Sequence, residues 1–213
     1  MQLTLEQVRR ALHDHLQGQA AHQLMMAMPR STRRSEMPGT PRQSAVLIAL
    51  YERDGELWFP LTVRSQRVSK HKGQISLPGG AMDQGDGSFW RTALREANEE
   101  LGIDSEGARQ LGHLSELCIL SSGFCVHPYV AAIDTDRDWI IQPDEVAQVI
   151  EAPLSLIFDE SAKQVVEWSF ESGTRSVPHY AYQGHVIWGA TAMILSEFEQ
   201  ALRAELMAHQ ATP

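Results

Sequence analysis

The chain has 213 residues, of which 18 are basic and 27 acidic, so its formal net charge is −9. This length suits one domain with an added terminal segment, and 43% hydrophobic residues suit a substantial core. The acidic excess argues against a general nucleic-acid binder, because such a protein needs a broad basic face to neutralise phosphates.

Membrane and secretion signals are not evident in the sequence. No apolar run approaches the ~20 residues that a membrane-spanning helix needs, and the N-terminus has no continuous apolar segment of the signal-peptide kind. We therefore expect a cytoplasmic protein without a membrane partner. Cys118 and Cys125 lack metal-ligand spacing, and we expect two free thiols in a reducing compartment.

The first 43 residues differ from the rest of the chain in their composition and apolar spacing. Apolar residues recur at near-helical spacing across residues 3–26, which predicts one or two amphipathic helices. Residues 28–43 contain three prolines and four arginines, which is typical of an extended surface linker. Those arginines fit a solvated loop better than a phosphate contact. We expect an N-terminal helical extension and linker over residues 1–43 and the main domain over residues 44–213.

A β-hairpin is predicted at the start of the main domain. The apolar run at 45–51 predicts a buried strand, an Asp-Gly pair marks a tight turn, and residues 57–63 predict a second strand. A glycine-rich loop follows. We then expect a helix over residues 88–101, closed by Gly102 at its C-cap.

Strands and helices intermix through the rest of the chain. The expected elements are strands near 111–120 and 125–133, a short helix at 153–158 reached through 143–149, strands near 163–170 and 179–188, and a final amphipathic helix carrying Ala192, Leu195, Phe198, Leu202 and Leu206. This order lacks a regular βαβ rhythm, which favours an α/β fold with a mixed sheet and helices on both faces.

The helix at 88–101 carries an unusual group of acids. At 100° per residue, Glu96, Glu99 and Glu100 share an arc of about 100°, and Glu100 lies at the edge of the apolar stripe. Glu96 and Glu100 are four residues apart and repel each other. Clustered carboxylates suit a hard cation such as Mg²⁺, with Arg95 beside Glu99 to orient it. A solvated acidic face is the alternative.

The segment around these acids matches a known motif. The run GGAMDQGDGSFWRTALREANEELGI at 79–103 resembles the Nudix box, G-x5-E-x7-R-E-U-x-E-E-x-G-U. The matching residues are Gly80, Arg95, Glu96, Glu99, Glu100, Gly102 and Ile103, with Ala97 at the apolar U position. The sequence departs from the box at Asp86, which replaces the first glutamate and stands eight residues, instead of seven, before Arg95.

The preceding segment narrows the resemblance. Residues 61–80, LTVRSQRVSKHKGQISLPGG, are similar to the segment that marks the coenzyme A pyrophosphatase branch, which shares the Asp86-type substitution and the longer spacing. Ser69 stands where that branch has arginine, and Leu77 stands where it has phenylalanine. Similarity continues at 122–129, 143–146 and 187–195, and so covers about residues 44–200.

The resemblance implies a fold and a reaction. The fold would be a Nudix-type α/β/α sandwich with a mixed β-sheet and a catalytic loop-helix, so residues 44–213 would be a Nudix hydrolase domain. The reaction would be Mg²⁺-dependent hydrolysis of a pyrophosphate bond, with Mn²⁺ as an alternative cation. Coenzyme A or its thioesters would give 4′-phosphopantetheine and 3′,5′-ADP. ADP-ribose, NADH, a nucleoside triphosphate or non-catalytic nucleotide binding are the alternatives, and a homodimer stays open.

The same resemblance assigns roles to individual residues. Glu96, Glu99, Glu100 and the Gly80 carbonyl would bind the metal, and Arg95 would support them. The general base would be Glu99 or a carboxylate from another loop, for which Glu145 in Pro-Asp-Glu-Val is the candidate. An ordinary glutamate at a helix start is the other interpretation of Glu145.

Substrate-binding candidates come from charge alone. Residues 57–82 contain no acid, and their cations Arg64, Arg67 and Lys70 make a local positive region that can hold a phosphate-bearing ligand. The alternative is a basic hairpin face that keeps the protein soluble. Trp188 could stack on an adenine, but its strand context fits a core residue better.

Overall fold

In the computed structural model the described residues are 3–27, 34–37, 39–67, 72–134, 138–170 and 173–210. The helices of this part are α1 (Leu5–Asp14), α2 (Gln19–Leu24), α3 (Phe89–Leu101) and α4 (Gly189–Gln210), with short 3-10 turns at Arg34–Glu36 and Leu154–Phe158. The strands are β1 (Arg42–Arg53), β2 (Glu56–Arg64), β3 (Ile75–Ser76), β4 (Gly79–Ala81), β5 (Arg109–His113), β6 (Leu117–Ile119), β7 (Phe124–Ala132), β8 (Val146–Pro153), β9 (Lys163–Phe170), β10 (Gly173–Tyr182) and β11 (His185–Trp188).

The main sheet is mixed and is organised around β1. The predicted hairpin is confirmed, since β1 pairs antiparallel with β2, and β1 also pairs parallel with β7. The order β3-β2-β1-β7-β5 forms the body of the sheet, with β4 on β1, β6 on β7 and β8 on β2. Strands β9, β10 and β11 form a second, antiparallel sheet.

Strand β1 is buried on both faces because its side chains alternate between two cores. Ala45, Leu47 and Ala49 pack against the apolar side of α3. Ile48 and Leu50 pack on the opposite side, in a core shared with α1 and α4. The predicted α/β/α sandwich with a mixed sheet is therefore confirmed.

The N-terminal helices pack against α4 through a buried polar contact. Glu197 of α4 is fully buried and accepts hydrogen bonds from the Gly18 amide (2.9 Å) and from the Ser115 hydroxyl (2.6 Å) and amide (3.1 Å). His22 Nε2 lies 2.9 Å from the same carboxylate. Residues of α1 thus share the main core, although the division after residue 43 stays a prediction.

The short helix predicted at 153–158 is present as the 3-10 helix Leu154–Phe158. The segment that leads into it is a strand that the sequence pattern did not predict, since Val146–Pro153 form the edge strand β8 on β2. Burial alternates over its second half, where Ile150 and Ala152 are buried and their neighbours are only partly buried. Strand β1 begins at Arg42, within the last two residues of the expected linker, and residues 28–33 and 38 lie outside the described part.

The cysteines are paired, which corrects the expectation of free thiols. Cys118 of β6 and Cys125 of β7 lie directly opposite each other in an antiparallel pair, with their Cα atoms 4.0 Å apart, and they form a disulfide. Cross-strand neighbours of this kind are close enough to bond, but seven residues of sequence separation do not disclose the register. Among the helices described here, none is long and apolar enough to cross a membrane.

Replacing Glu197 tests how strongly α4 holds the N-terminal helices. Glu197→Ala leaves buried donors without an acceptor, so we expect a loss of about 3–5 kcal/mol in the free energy of unfolding, measured by urea denaturation. Glu6→Ala, which removes an exposed ion pair with Arg9, is the control and should change the midpoint little.

The same variant has a defined pH dependence. Burial alone would raise the pKa of the Glu197 carboxyl, but hydrogen bonds from His22 and Ser115 outweigh burial and hold that pKa below its usual range. The stabilisation is therefore present above the unfolded-state pKa of about 4.3 and is lost as pH falls through the lower folded-state pKa. A stability gap between wild type and Glu197→Ala that widens on acidification would contradict this assignment.

Candidate active site

Helix α3 is bounded as its sequence predicts. The Ser88 hydroxyl accepts a hydrogen bond from the Arg91 amide at 3.2 Å, which caps the N-terminus. Gly102 ends the helix in the left-handed conformation at φ 71°. The apolar side of α3 packs on β1, and Glu96 and Glu100, beside that apolar side, lie next to the glycine loop.

The glycine loop passes very close to both β1 and α3. Gly79 pairs with Val46 of β1, and a Cβ at position 79 would overlap the β1 backbone. Its amide donates to Glu100 Oε2 at 3.2 Å. A Cβ at Gly80 would instead collide with the carboxylate of Glu96. Glycine at both positions is therefore what lets the loop, the strand and the glutamates meet.

Three carboxylates converge at this place. One side-chain oxygen from each of Glu96, Glu100 and Glu145 lies within 4.8 Å of the other two. Glu100 is only 2% exposed, and burial, only partly offset by the Gly79 amide, raises the pKa of its carboxyl to about 8. Burial also raises the pKa of Glu96, in spite of Arg95 beside it.

Glu145 reaches the cluster through backbone contacts that the sequence did not disclose. The Gln142 amide donates to the Glu100 carbonyl at 3.1 Å, which holds the 140–146 segment on the end of α3. The Ser65 amide donates to the Glu145 carbonyl at 2.8 Å, beside the pairing of β2 with β8. The interpretation of Glu145 as a helix-start residue is wrong, because it lies in a turn that leads into β8.

Arg95 organises the acids on the other side of the cluster. Its Nε and Nη2 atoms bind both oxygens of Asp86, at 2.8 and 3.1 Å, and its Nη1 lies 2.9 Å from Glu96 and 3.1 Å from Glu99. Asp86 also accepts from the Thr92 hydroxyl at 2.8 Å. The hydrogen bond from Arg95 holds the pKa of the Asp86 carboxyl far below its usual range. Asp86 thus positions Arg95 and stands outside the three converging carboxylates.

Glu99 is placed differently from the other glutamates of the motif. Its side chain is 55% exposed and is held by Arg95, as expected from the helix geometry. It is not one of the three carboxylates that converge. A metal-ligand or base role for Glu99 therefore stays a prediction.

The converging carboxylates fit a hard divalent cation. They offer only oxygen atoms, which Mg²⁺ prefers. The raised pKa values of Glu96 and Glu100 show that negative charge is costly there in the protein alone, and a bound cation offsets that cost. Glu96, Glu100 and Glu145 could therefore hold the ion, with the Gly80 carbonyl as a further candidate.

A cleft of about 550 Å³ runs from the glycine loop along β1. Arg64 lines it beside Gly79 and Gly80, and its Nε has no hydrogen-bond partner among the described residues. Arg67 is instead turned to the surface, where it pairs with Asp144 at 2.8 Å. Of the predicted substrate-binding residues, Arg64 therefore lines the cleft, whereas Arg67 lies away from it.

Three further residues, Lys70, Trp188 and Arg42, were considered in relation to the cleft or the linker from the sequence. Lys70, like Ser69, lies outside the described residues. Trp188 lines the cleft and packs edge-on against Trp168, with ring centroids 4.8 Å apart. It therefore faces the cleft and is not the core residue that its strand context suggested. Arg42, at the start of β1, also lines the cleft. Sequence reasoning had placed Arg42 in the linker; the signal it overlooked is the alternation of 42, 44 and 46 into the adjoining strand.

Comparisons with known proteins show the family of this chain. A family model described as the NUDIX domain matches residues 41–168, more than half of the chain. A Photorhabdus laumondii protein named uncharacterized Nudix hydrolase NudL is 37% identical over 143 residues, which cover 67% of this chain and 76% of that protein. A protein of the same name from an Enterobacter species is 37% identical over 156 residues, 73% of this chain and 80% of its own.

A solved structure shows the same fold at lower identity. The MutT protein from Methanosarcina mazei Go1 aligns with a TM-score of 0.51 and 19% identity, over 78% of this chain and 97% of that one. The chain therefore belongs to the Nudix hydrolase family. It is a pyrophosphohydrolase that acts on nucleotide pyrophosphates, a class of phosphorus-containing anhydride.

Gly80 offers a test of the carboxylate geometry. Gly80→Ala should displace the Glu96 carboxylate, a flexible group, and so weaken Mn²⁺ or Mg²⁺ binding by at least about 10-fold in calorimetric titration. Its thermal midpoint without metal should stay near that of wild type. Gly79→Ala is the contrasting variant and should lower that midpoint, since its Cβ meets backbone. Unaltered metal affinity in a folded Gly80→Ala would show that Glu96 is not a ligand.

Proposed function

We propose that this protein hydrolyses the pyrophosphate bond of coenzyme A or its thioesters in a Mg²⁺-dependent reaction. The observation that carries the proposal is the convergence of Glu96, Glu100 and Glu145 beside a glycine loop that lines a cleft together with Arg64. The Nε atom of Arg64 has no hydrogen-bond partner among the described residues. The products would be 4′-phosphopantetheine and 3′,5′-ADP. Mn²⁺ is the natural alternative cation, because it accepts similar oxygen ligands.

The residues divide into holding and proton-accepting groups. Glu96 and Glu100, with the Gly80 carbonyl, would hold the ion, which when bound polarises phosphoryl oxygens and favours hydroxide formation. Arg64 would bind the diphosphate as a cation at the same end of the cleft. Arg95 would keep Glu96 and Glu99 oriented through its contact with Asp86.

Glu145 is the better candidate for the general base. Its exposed carboxylate stands next to Glu96 and Glu100 and is reachable by water. Glu99 faces Arg95 instead and lies outside the three converging carboxylates, so it is less well placed to reach the attacking water. In the proposed step Glu145 takes a proton from the water that attacks phosphorus, and the P–O bond to the leaving phosphate breaks.

The substrate assignment rests on the segment at 61–80. Its resemblance to the coenzyme A branch and its lack of acids favour a ligand with several phosphates. ADP-ribose, NADH and nucleoside triphosphates remain the alternatives within the same chemistry. A purely nucleotide-binding role is disfavoured, because Glu96, Glu99 and Glu100 are all retained.

A substrate panel tests the assignment. Purified protein with Mg²⁺ is offered coenzyme A, acetyl-coenzyme A, ADP-ribose, NADH and 8-oxo-dGTP, and products are resolved by chromatography. We expect the highest kcat/KM with coenzyme A or its thioester. Turnover of ADP-ribose alone would contradict the coenzyme A assignment, and tight binding without turnover of any compound would contradict the reaction.

Glu100→Gln tests the metal assignment. The amide keeps the shape and the acceptor for the Gly79 amide but removes the charge, so we expect kcat to fall by at least about 100-fold. The thermal midpoint without metal should be unchanged or higher, because glutamine cannot take on the charge that burial makes costly at this position. Glu106→Gln, an exposed position just after α3, is the matched control. Activity near wild type in Glu100→Gln would show that the metal lies elsewhere.

A further inference from the structure

Arg42 lines the cleft from the start of β1, three residues before Ala45, the strand partner of Gly80. We propose that Arg42 forms a second phosphate subsite, which binds a phosphate monoester carried on the nucleoside of the substrate while Arg64 serves the scissile diphosphate. This inference rests on the proposed function, because it places the diphosphate at the glycine loop.

The guanidinium of Arg42 is held in a fixed orientation. It stacks on the ring of Phe124 with Cζ 3.9 Å from the ring centroid. The two residues are direct neighbours in the parallel pairing of β1 with β7. One Nη2 contact reaches the Ser122 carbonyl at 3.4 Å. Since a guanidinium has five N–H donors, most of its donors stay open to the cleft.

No acid neutralises Arg42 within the described residues. Arg67 pairs with Asp144, and Arg95 binds Asp86, but neither Arg42 nor Arg64 forms an ion pair in the part of the chain that is described. In a protein of net charge −9, two arginines that share one cleft and form no ion pair among the described residues favour an anionic ligand with charge at two places. Stacking on Phe124 holds the planar guanidinium of Arg42 in place, so that its paired N–H donors can bind a phosphate.

The separation of the two subsites suits a nucleoside between them. Ala45 is the pairing partner of Gly80, and Arg42 precedes Ala45 by three residues on β1. At about 3.3 Å per strand residue, this places the Arg42 backbone about 10 Å along the strand from the position that pairs with Gly80. Residues 42, 44 and 46 all line the cleft from one face of β1. A ribose can span part of this length and carry a phosphate towards each end.

Two ligand types share this chemistry. A ribose 3′-phosphate occurs in coenzyme A and a 2′-phosphate occurs in NADPH, so two matched pairs separate them. The test measures kcat and KM for coenzyme A against 3′-dephospho-coenzyme A, and for NADPH against NADH. Proteins compared are wild type, Arg42→Ala, Arg42→Lys and the control Arg109→Ala, which removes an exposed arginine outside the cleft.

The expected result is a loss of discrimination. Wild type should prefer the phosphorylated member of one pair, and Arg42→Ala should raise the KM for that member by about 10–100-fold, the usual range for a charged hydrogen bond. The kcat should change little, because binding to a remote phosphate is equal in ground and transition states. Arg42→Lys should retain part of the preference, and Arg109→Ala should retain all of it.

Other outcomes separate the two proposals. Equal KM values for both members of each pair in wild type, or an equal loss for both in Arg42→Ala, would overturn the subsite while leaving the reaction intact. No turnover of any compound would overturn the proposed function instead. In that case calorimetric binding of 3′,5′-ADP, 2′,5′-ADP and 5′-AMP to the same four proteins still decides whether Arg42 binds a ribose phosphate, and thermal unfolding confirms that each variant is folded.

Discussion

The contact between Arg95 and Asp86 is the interaction on which the site depends. Several carboxylates crowd one end of α3, and like charges at this spacing repel one another. The Arg95 guanidinium offsets the charge of three carboxylates at once. Two of its nitrogens bind Asp86, and the third lies close to Glu96 and Glu99. With Arg95 held in this way, Glu96 keeps the orientation that brings it to Glu100 and the glycine loop.

The two faces of β1 position the other parts of the site. One face packs on α3 and so fixes the helix that carries the glutamates. The other face belongs to the α4 core at its middle and becomes the wall of the cleft at its beginning, where Arg42 and Ser44 replace apolar residues. The pairing of β4 with β1 then sets the glycine loop between helix and cleft. A single strand therefore fixes the distance between the carboxylates and the cleft-lining cations.

Local signals predicted α3, its C-cap and its glutamates, because helix periodicity and a terminal glycine act within a few residues. The disulfide and the position of Glu145 depend instead on how strands and segments that are distant from α3 in sequence align in the fold. Cys118 and Cys125 bond only because β6 and β7 align them, and Glu145 joins the acids only through the docking of the 140–146 segment on α3. Arg67 shows the converse, since charge alone made it a candidate for phosphate binding, but Asp144, 77 residues away in sequence, holds it at the surface.

The charge pattern also links cation and substrate binding. Glu96, Glu100 and Glu145 by themselves oppose a diphosphate, whereas Arg64 attracts it from the adjoining wall of the cleft. A divalent cation on the carboxylates reverses that local repulsion, so each ligand should strengthen the binding of the other by the same factor. In the proposed subsite Arg42 would stand apart from this coupling, because it forms no ion pair with any acid of the described residues. Arg64 would then belong to the metal-dependent step, whereas Arg42 would contribute selectivity that is independent of the metal.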